Sequence, residues 1–238
     1  MTRVLDPRRL PQGRVLAAST AMLTVVAVLA GLLAANISRP PFQGLDQGWA
    51  GFITALHSPF WDGINAFLNI AGYRGVLVLH GLLVVALLVR RRPHAALFSA
   101  AAGAGVLLVT QVLKAGLLRE RPQNTVVLTD TGSFPSGHVA TTTAFVLVLA
   151  LLLAKAGAWL LAWAGTVAMM VSRTYLSAHW LTDTVGAVCL AAPVVLLLWL
   201  GYQNLCIREN ADARRLLSWR ARASRRQRAA GQPESARR

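Results

Sequence analysis

His179 and Asp183 stand four residues apart, with Arg173 six positions upstream, in a run between two strongly apolar segments. On a helix-like turn, that spacing places imidazole and carboxylate on one face. The carboxylate can accept from one ring nitrogen and leave the other unprotonated, which is how a third group activates a histidine for attack. Ionisable side chains beside apolar segments are costly, and a cluster of them there marks a functional site.

Two further polar blocks interrupt the apolar sequence. One runs from Lys114 to Arg121 and Pro122, the other through Pro135, Ser136, Gly137 and His138. Lys114, Arg121 and Arg173 supply three cations, and guanidinium groups hold phosphate bidentately. Ser136 and Gly137 precede an apolar helix, whose first N–H groups and positive dipole end suit an anion. His138 is placed to protonate a leaving oxygen as general acid. Together these groups imply phosphoryl transfer through a phosphohistidine, with cations stabilising the equatorial oxygens. Glu120 and Asp130 are the only acids in the outer loop between Lys114 and His138, too few to hold magnesium; no metal and no cofactor are expected.

The remaining candidates read as structural. Arg119 and Glu120 look like a local surface pair. His80 reads as a packed helix residue and His94 as a cytoplasmic loop residue, while His57 is the histidine with a route to the site. Tyr175 and Trp180 pack, or line a lipid path. Cys189 and Cys206, seventeen residues apart on one helical stretch, cannot be bridged.

Composition sets the surroundings. Of 238 residues, 55% are hydrophobic and 14% charged, well below the ~25% charged of a soluble domain. The net charge of +15 is concentrated at the ends: four Arg in residues 1–14 and ten in residues 203–238. Basic tails around an apolar body read as topology signals and anionic-lipid contacts. No recognition motif accompanies them, so nucleic-acid binding is not expected.

Six segments approach membrane-spanning length: 15–35, 71–89, 95–113, 139–154, 156–171 and 184–202. The first is longer than the core of a signal peptide and reads as an uncleaved helix. Leu45, Trp49, Phe52, Ile53 and Leu56 recur at helical spacing, predicting an amphipathic helix at the interface after the first span. Phe60 begins a second short apolar stretch, to residue 70. Leu216, Leu217 and Trp219 among arginines suggest a surface-bound helix, with disorder beyond about Arg226. The fold class is therefore all-α: a six-helix membrane domain over 15–202, between a basic N-tail, 1–14, and an arginine-rich C-tail, 203–238.

Alternating helices bring the three polar blocks to one membrane face. With both termini cytoplasmic, eighteen of the twenty-four Lys and Arg lie inside, as the positive-inside rule requires. The site is then extracytoplasmic.

The three blocks resemble the type-2 phosphatidic acid phosphatase superfamily. Its pattern is Lys with Arg-Pro seven positions on, then Pro-Ser-Gly-His, then Ser-Arg with His and Asp following. Lys114, Arg121, Pro122, Pro135, Ser136, Gly137, His138, Ser172, Arg173, His179 and Asp183 all match. The resemblance implies His179 as nucleophile, His138 as acid, Asp183 as orienter and metal-independent hydrolysis. The superfamily also holds soluble acid phosphatases and vanadate-dependent haloperoxidases, from which the apolar segments separate this chain. The expectation is a lipid phosphatase of the bacterial cell membrane, acting on a polyprenyl diphosphate such as undecaprenyl diphosphate, on phosphatidate or on phosphatidylglycerol phosphate. A lipid phosphotransferase, and a scaffold or carrier that retains the fold, remain open alternatives.

Overall fold

The computed structural model describes residues 9–230 apart from 124, 126 and 128–131, and for 212–230 the helical backbone only. Asp130 and the side chains of most of both basic tails therefore lie outside the described residues.

Among those residues every regular element is helical: α1 (Gln12–Ala35), α2 (Gln43–Thr54), α3 (Pro59–Ile70), a π turn (Ala71–Gly75), α4 (Val76–Val89), α5 (Pro93–Leu117), α6 (Gly137–Leu153), α7 (Ala156–Tyr175) and α8 (Leu181–Ala230). Four stretches are long and apolar enough to cross a membrane: Gln12–Ala35, Pro59–Val89, Pro93–Leu117 and Leu181–Ala211. The 17-residue α6 is apolar but shorter. Of the six expected segments, the second starts earlier than expected. Ser58 caps α3 through its hydroxyl and Pro59 fills the first helical position, a strong start signal. The chain then stays helical through the π turn to Val89.

α6 is the central helix, packed against α4, α5, α7 and α8. Phe98, Val106, Val139, Val148, Val195 and Trp199 are fully buried there. Ala102, Ala140, Ala144, Ala187 and Ala191 also lie in this core, and such small residues let helix backbones approach closely. Outward-facing positions are apolar as well: Val78, Val89, Leu160 and Trp163 are all exposed. A helix that is apolar on every side suits a lipid surround.

Helix ends are tied by side chains from elsewhere in the sequence. The Glu209 carboxylate accepts from the His94 and Ala95 backbone N–H groups at 2.6 and 3.1 Å. His94 is thus in the first turn of α5 rather than a loop, because an anion from α8 satisfies that turn's donors. α8 continues to Ala230, so residues 226–230 are helical where disorder was expected; the good helix formers Arg and Ala dominate that stretch.

Candidate active site

α5 stops where Leu118 turns left-handed, at φ 41°, and the chain then crosses the end of the bundle. Gly132, at φ 69°, brings its carbonyl to both motif cations: Lys114 Nζ donates to it at 3.2 Å and Arg121 Nη2 at 3.0 Å. A Cβ at Gly132 would meet the Lys114 carbonyl at 3.1 Å, so both conformation and space favour glycine.

The end of α7 places His179. Ser177 adopts φ 50°, and the Ala178 and His179 N–H groups both turn back to the Arg173 carbonyl, at 3.1 and 3.3 Å. This helix ending fixes the histidine backbone to the arginine that shares its motif. His179 itself is 4% exposed. Its Nδ1 donates to the Ser133 carbonyl at 2.8 Å; a carbonyl only accepts, so Nδ1 carries the proton. Nε2 keeps its lone pair and faces Arg121 Nη1 at 3.3 Å. Burial holds the imidazole pKa down to about 4, against the opposing pull of the Asp183 carboxylate.

Asp183 is not the direct hydrogen-bond partner that the spacing suggested. Its Oδ2 lies 3.6 Å from His179 Nδ1 and accepts instead from the Trp180 N–H at 2.8 Å, reaching back to the start of α8 as in a capping box. Oδ1 accepts from Arg119 Nη1 at 2.6 Å. The carboxylate therefore acts on the ring by charge, while the Ser133 carbonyl sets the tautomer.

Arg119 corrects the sequence reading most sharply. It is 2% exposed, not part of a surface pair. Its guanidinium bridges Asp183 and, at 2.7 Å, Asp46 of α2. Asp46 is fully buried and also accepts from the Thr182 N–H at 2.9 Å and hydroxyl at 2.7 Å. A buried charge is tolerated only when paired and hydrogen-bonded, and two carboxylates around one guanidinium meet that condition.

A second bridge comes from α3. Asn69 Oδ1 accepts from Arg173 Nη1 at 2.6 Å, and the Asn69 carbonyl accepts from His138 Nε2 at 3.1 Å. His138 Nε2 is therefore protonated, leaving Nδ1 as the exchangeable position. The π turn follows at once, and Thr142 Oγ1 donates to its Gly72 carbonyl at 3.2 Å. A Cβ at Gly72 would strike the Met169 thioether and come within 3.4 Å of the His138 ring. A π turn often marks a functional position in a helix; this one delivers the Asn69 carbonyl to a motif histidine.

Ser136 behaves differently from expectation. Its backbone N–H is used by the Asp183 carbonyl at 3.1 Å, so it is not offered to an anion. Its hydroxyl, and Arg173 Nε, are buried without a hydrogen-bond partner among the described residues. An unmatched buried donor costs about 1–3 kcal/mol, and an anion would satisfy both. Phe134 is fully buried and rests on Gly186, where a Cβ would lie 2.5 Å from its ring; this seats the turn leading into Ser136.

The structure thus gathers all eight site residues at the common end of α5, α6, α7 and α8. His57 stays outside, stacked on Tyr175 at 4.1 Å and bonded to its carbonyl at 3.0 Å. Asp46, Asn69, Arg119 and Ser133 were missed. Only Arg119, inside the first motif, carried a sequence signal.

The sequence model of the PAP2 superfamily matches residues 92–206. A similar solved structure is the transmembrane PAP2-type phosphatidylglycerolphosphate phosphatase from Bacillus subtilis, with a TM-score of 0.64 at 21% identity, over 73% of this chain and 92% of that one. Comparison with curated proteins finds no match.

Proposed function

We propose, from the match of residues 92–206 to the PAP2 superfamily, that this chain is a membrane lipid phosphatase of that superfamily working through a phosphohistidine. The observation that carries the reading is His179: a buried imidazole with Nδ1 held by a carbonyl and the Nε2 lone pair directed at Arg121. A low pKa keeps that lone pair available at neutral pH.

Nε2 bonds to phosphorus as the bond from phosphorus to the lipid oxygen breaks. His138, protonated at Nδ1, gives its proton to that oxygen. Lys114, Arg121, Arg173 and the Ser136 hydroxyl hold the phosphoryl oxygens, each such donor being worth ~100-fold or more in rate. A water then bonds to phosphorus and passes a proton to His138, and the P–N bond breaks. Inorganic phosphate leaves and His179 is restored. Asp183 stabilises the positive ring during transfer. The cations carry the charge compensation, so the reaction needs no metal.

The substrate reading is a lipid phosphate or diphosphate. The similar Bacillus subtilis protein is a phosphatidylglycerolphosphate phosphatase, which favours a glycerophospholipid over a polyprenyl carrier. Six spans, cytoplasmic termini and an extracytoplasmic site complete the proposal, with anionic lipids meeting the basic tails. The exposed Leu45 and Phe52 of α2 suit a membrane interface.

The test is phosphate release by purified protein from lipid monophosphates and diphosphates, in excess chelator, with acid quenching to trap phosphoenzyme. Wild type should turn over and label. His179→Ala should lose both, by at least ~1,000-fold in rate. Unchanged turnover in that variant, or activity that only magnesium restores, would sink the mechanism.

A further inference from the structure

Beside the catalytic groups lies a pocket of about 600 Å³, within the ~300–1,000 Å³ of small-molecule sites. α2, the first motif and the turn before α8 form its walls. None of Lys114, Ser136, His138, Arg173 or His179 lines it, but Arg121 does. Arg121 also touches His179 Nε2, so a phosphate at the nucleophile and a group in this pocket share one guanidinium wall.

The lining is mixed: Gln43, Gln47, Gln123, Ser38 and Ser177 stand among Ile37, Ala50, Pro122 and Trp180. A hydrocarbon chain filling it would strip the amides and hydroxyls of water without replacing their bonds, whereas a short polyol meets both kinds of surface. A second phosphate is also disfavoured. Arg119, though at the wall, is neutralised by Asp46 and Asp183, and Glu120 adds a negative charge. Amides, hydroxyls and the Trp180 face instead match hydroxyl groups on a short carbon skeleton. Gln43 is already oriented: its Oε1 accepts from Arg119 Nη2 at 3.3 Å, which leaves its amide N–H groups to donate. Gln47, one helical turn on, shares that face.

We propose that this pocket is a head-group subsite for an uncharged polyol carried on the transferred phosphate, with Gln43 and Gln47 reading its hydroxyls. The inference rests on the phosphatase reading above. Lipids whose transferred phosphate sits on a glycerol or similar polyol that keeps a free hydroxyl, such as phosphatidylglycerol phosphate, fill the pocket; phosphatidate, whose phosphate-bearing glycerol is fully acylated, offers it no hydroxyl and leaves it to water.

Gly51 provides a test that spares the fold. It lines the pocket, and a Cβ there meets nothing within 4 Å. Leucine at this helical position improves helix propensity while intruding on the pocket. Gln47→Ala removes hydrogen-bonding groups from an exposed residue. Both variants are compared with wild type on phosphatidylglycerol phosphate and on phosphatidate. The ratio of kcat/KM for the first lipid to the second should fall ~10-fold in Gly51→Leu and ~5-fold in Gln47→Ala, the scale of one or two lost hydrogen bonds. A ratio unchanged in both variants overturns the subsite while the phosphatase stands. Release by wild type from a polyprenyl diphosphate but from neither of these lipids overturns the subsite alone, and no release from any of the three overturns the phosphatase reading and the subsite with it.

Discussion

The motif-bearing bundle of α5 to α8 and the α2–α3 segment contribute in opposite ways. The bundle supplies every group assigned to the chemistry, and the family match at 92–206 covers it. α2 and α3 lie outside that match, supply none of those groups, and yet hold three of them in place. Asp46 reaches Asp183 through Arg119, and Asn69 touches both Arg173 and His138. Reactive groups can therefore be confined to one stretch of sequence while their orientation depends on another.

That division can be broken at several points. The largest effect is expected at the buried Arg119 bridge. Arg119→Ala leaves two buried carboxylates unpaired, and breaking such a network costs about 3–5 kcal/mol; thermal stability should drop and kcat fall ~100-fold. Arg119→Lys, which keeps the charge but loses the fork, should recover stability more than rate. If both variants match wild type in melting temperature and kcat, α2 is only a cover over the site.

Asn69→Ala should act more narrowly. Arg173 loses its acceptor and gains freedom, so inhibition by inorganic phosphate should weaken ~10-fold while melting temperature moves little. Asn69→Asp, which restores an acceptor, should recover most of that affinity. Unaltered phosphate inhibition in Asn69→Ala would show that α3 does not position the arginine.

The smallest expected signal is a titration. Burial lowers the His179 pKa from 6.5 to about 4, so the ring stays neutral as pH falls from 7 to 5 and gains its proton only below that. Histidine resonances followed by NMR in detergent, assigned with His179→Ala, test this. A midpoint near 6.5 would mean that the bundle fails to shield the ring from water.

The contrast between regions also explains what was legible. Lys114, Arg121, His138, Arg173, His179 and Asp183 stood out because they are polar interruptions in apolar helices, and alternating helix direction puts them at one end. Asp46 carries no such contrast, since it sits in a mixed segment where polar residues are unremarkable, and Asn69 is an uncharged side chain at the end of a short apolar stretch. Their partners are 73 and 104 positions away, a separation that no local spacing rule spans. Arg119 was misread for a related reason: an Arg beside a Glu looks like a surface pair until a buried aspartate from another helix is found against it. The Ser133 carbonyl was invisible because a backbone acceptor leaves no mark on residue type.

The sequence by itself determined an apolar helical chain, the identity of the reactive groups and their common end of the bundle. Those follow from composition and helix alternation, which are local properties. Only the tertiary structure decided which nitrogen of His179 carries the proton, what Asp183 touches, and that α2 and α3 close over the motifs. Those depend on backbone carbonyls and buried charges meeting across long separations, where packing sets the partner.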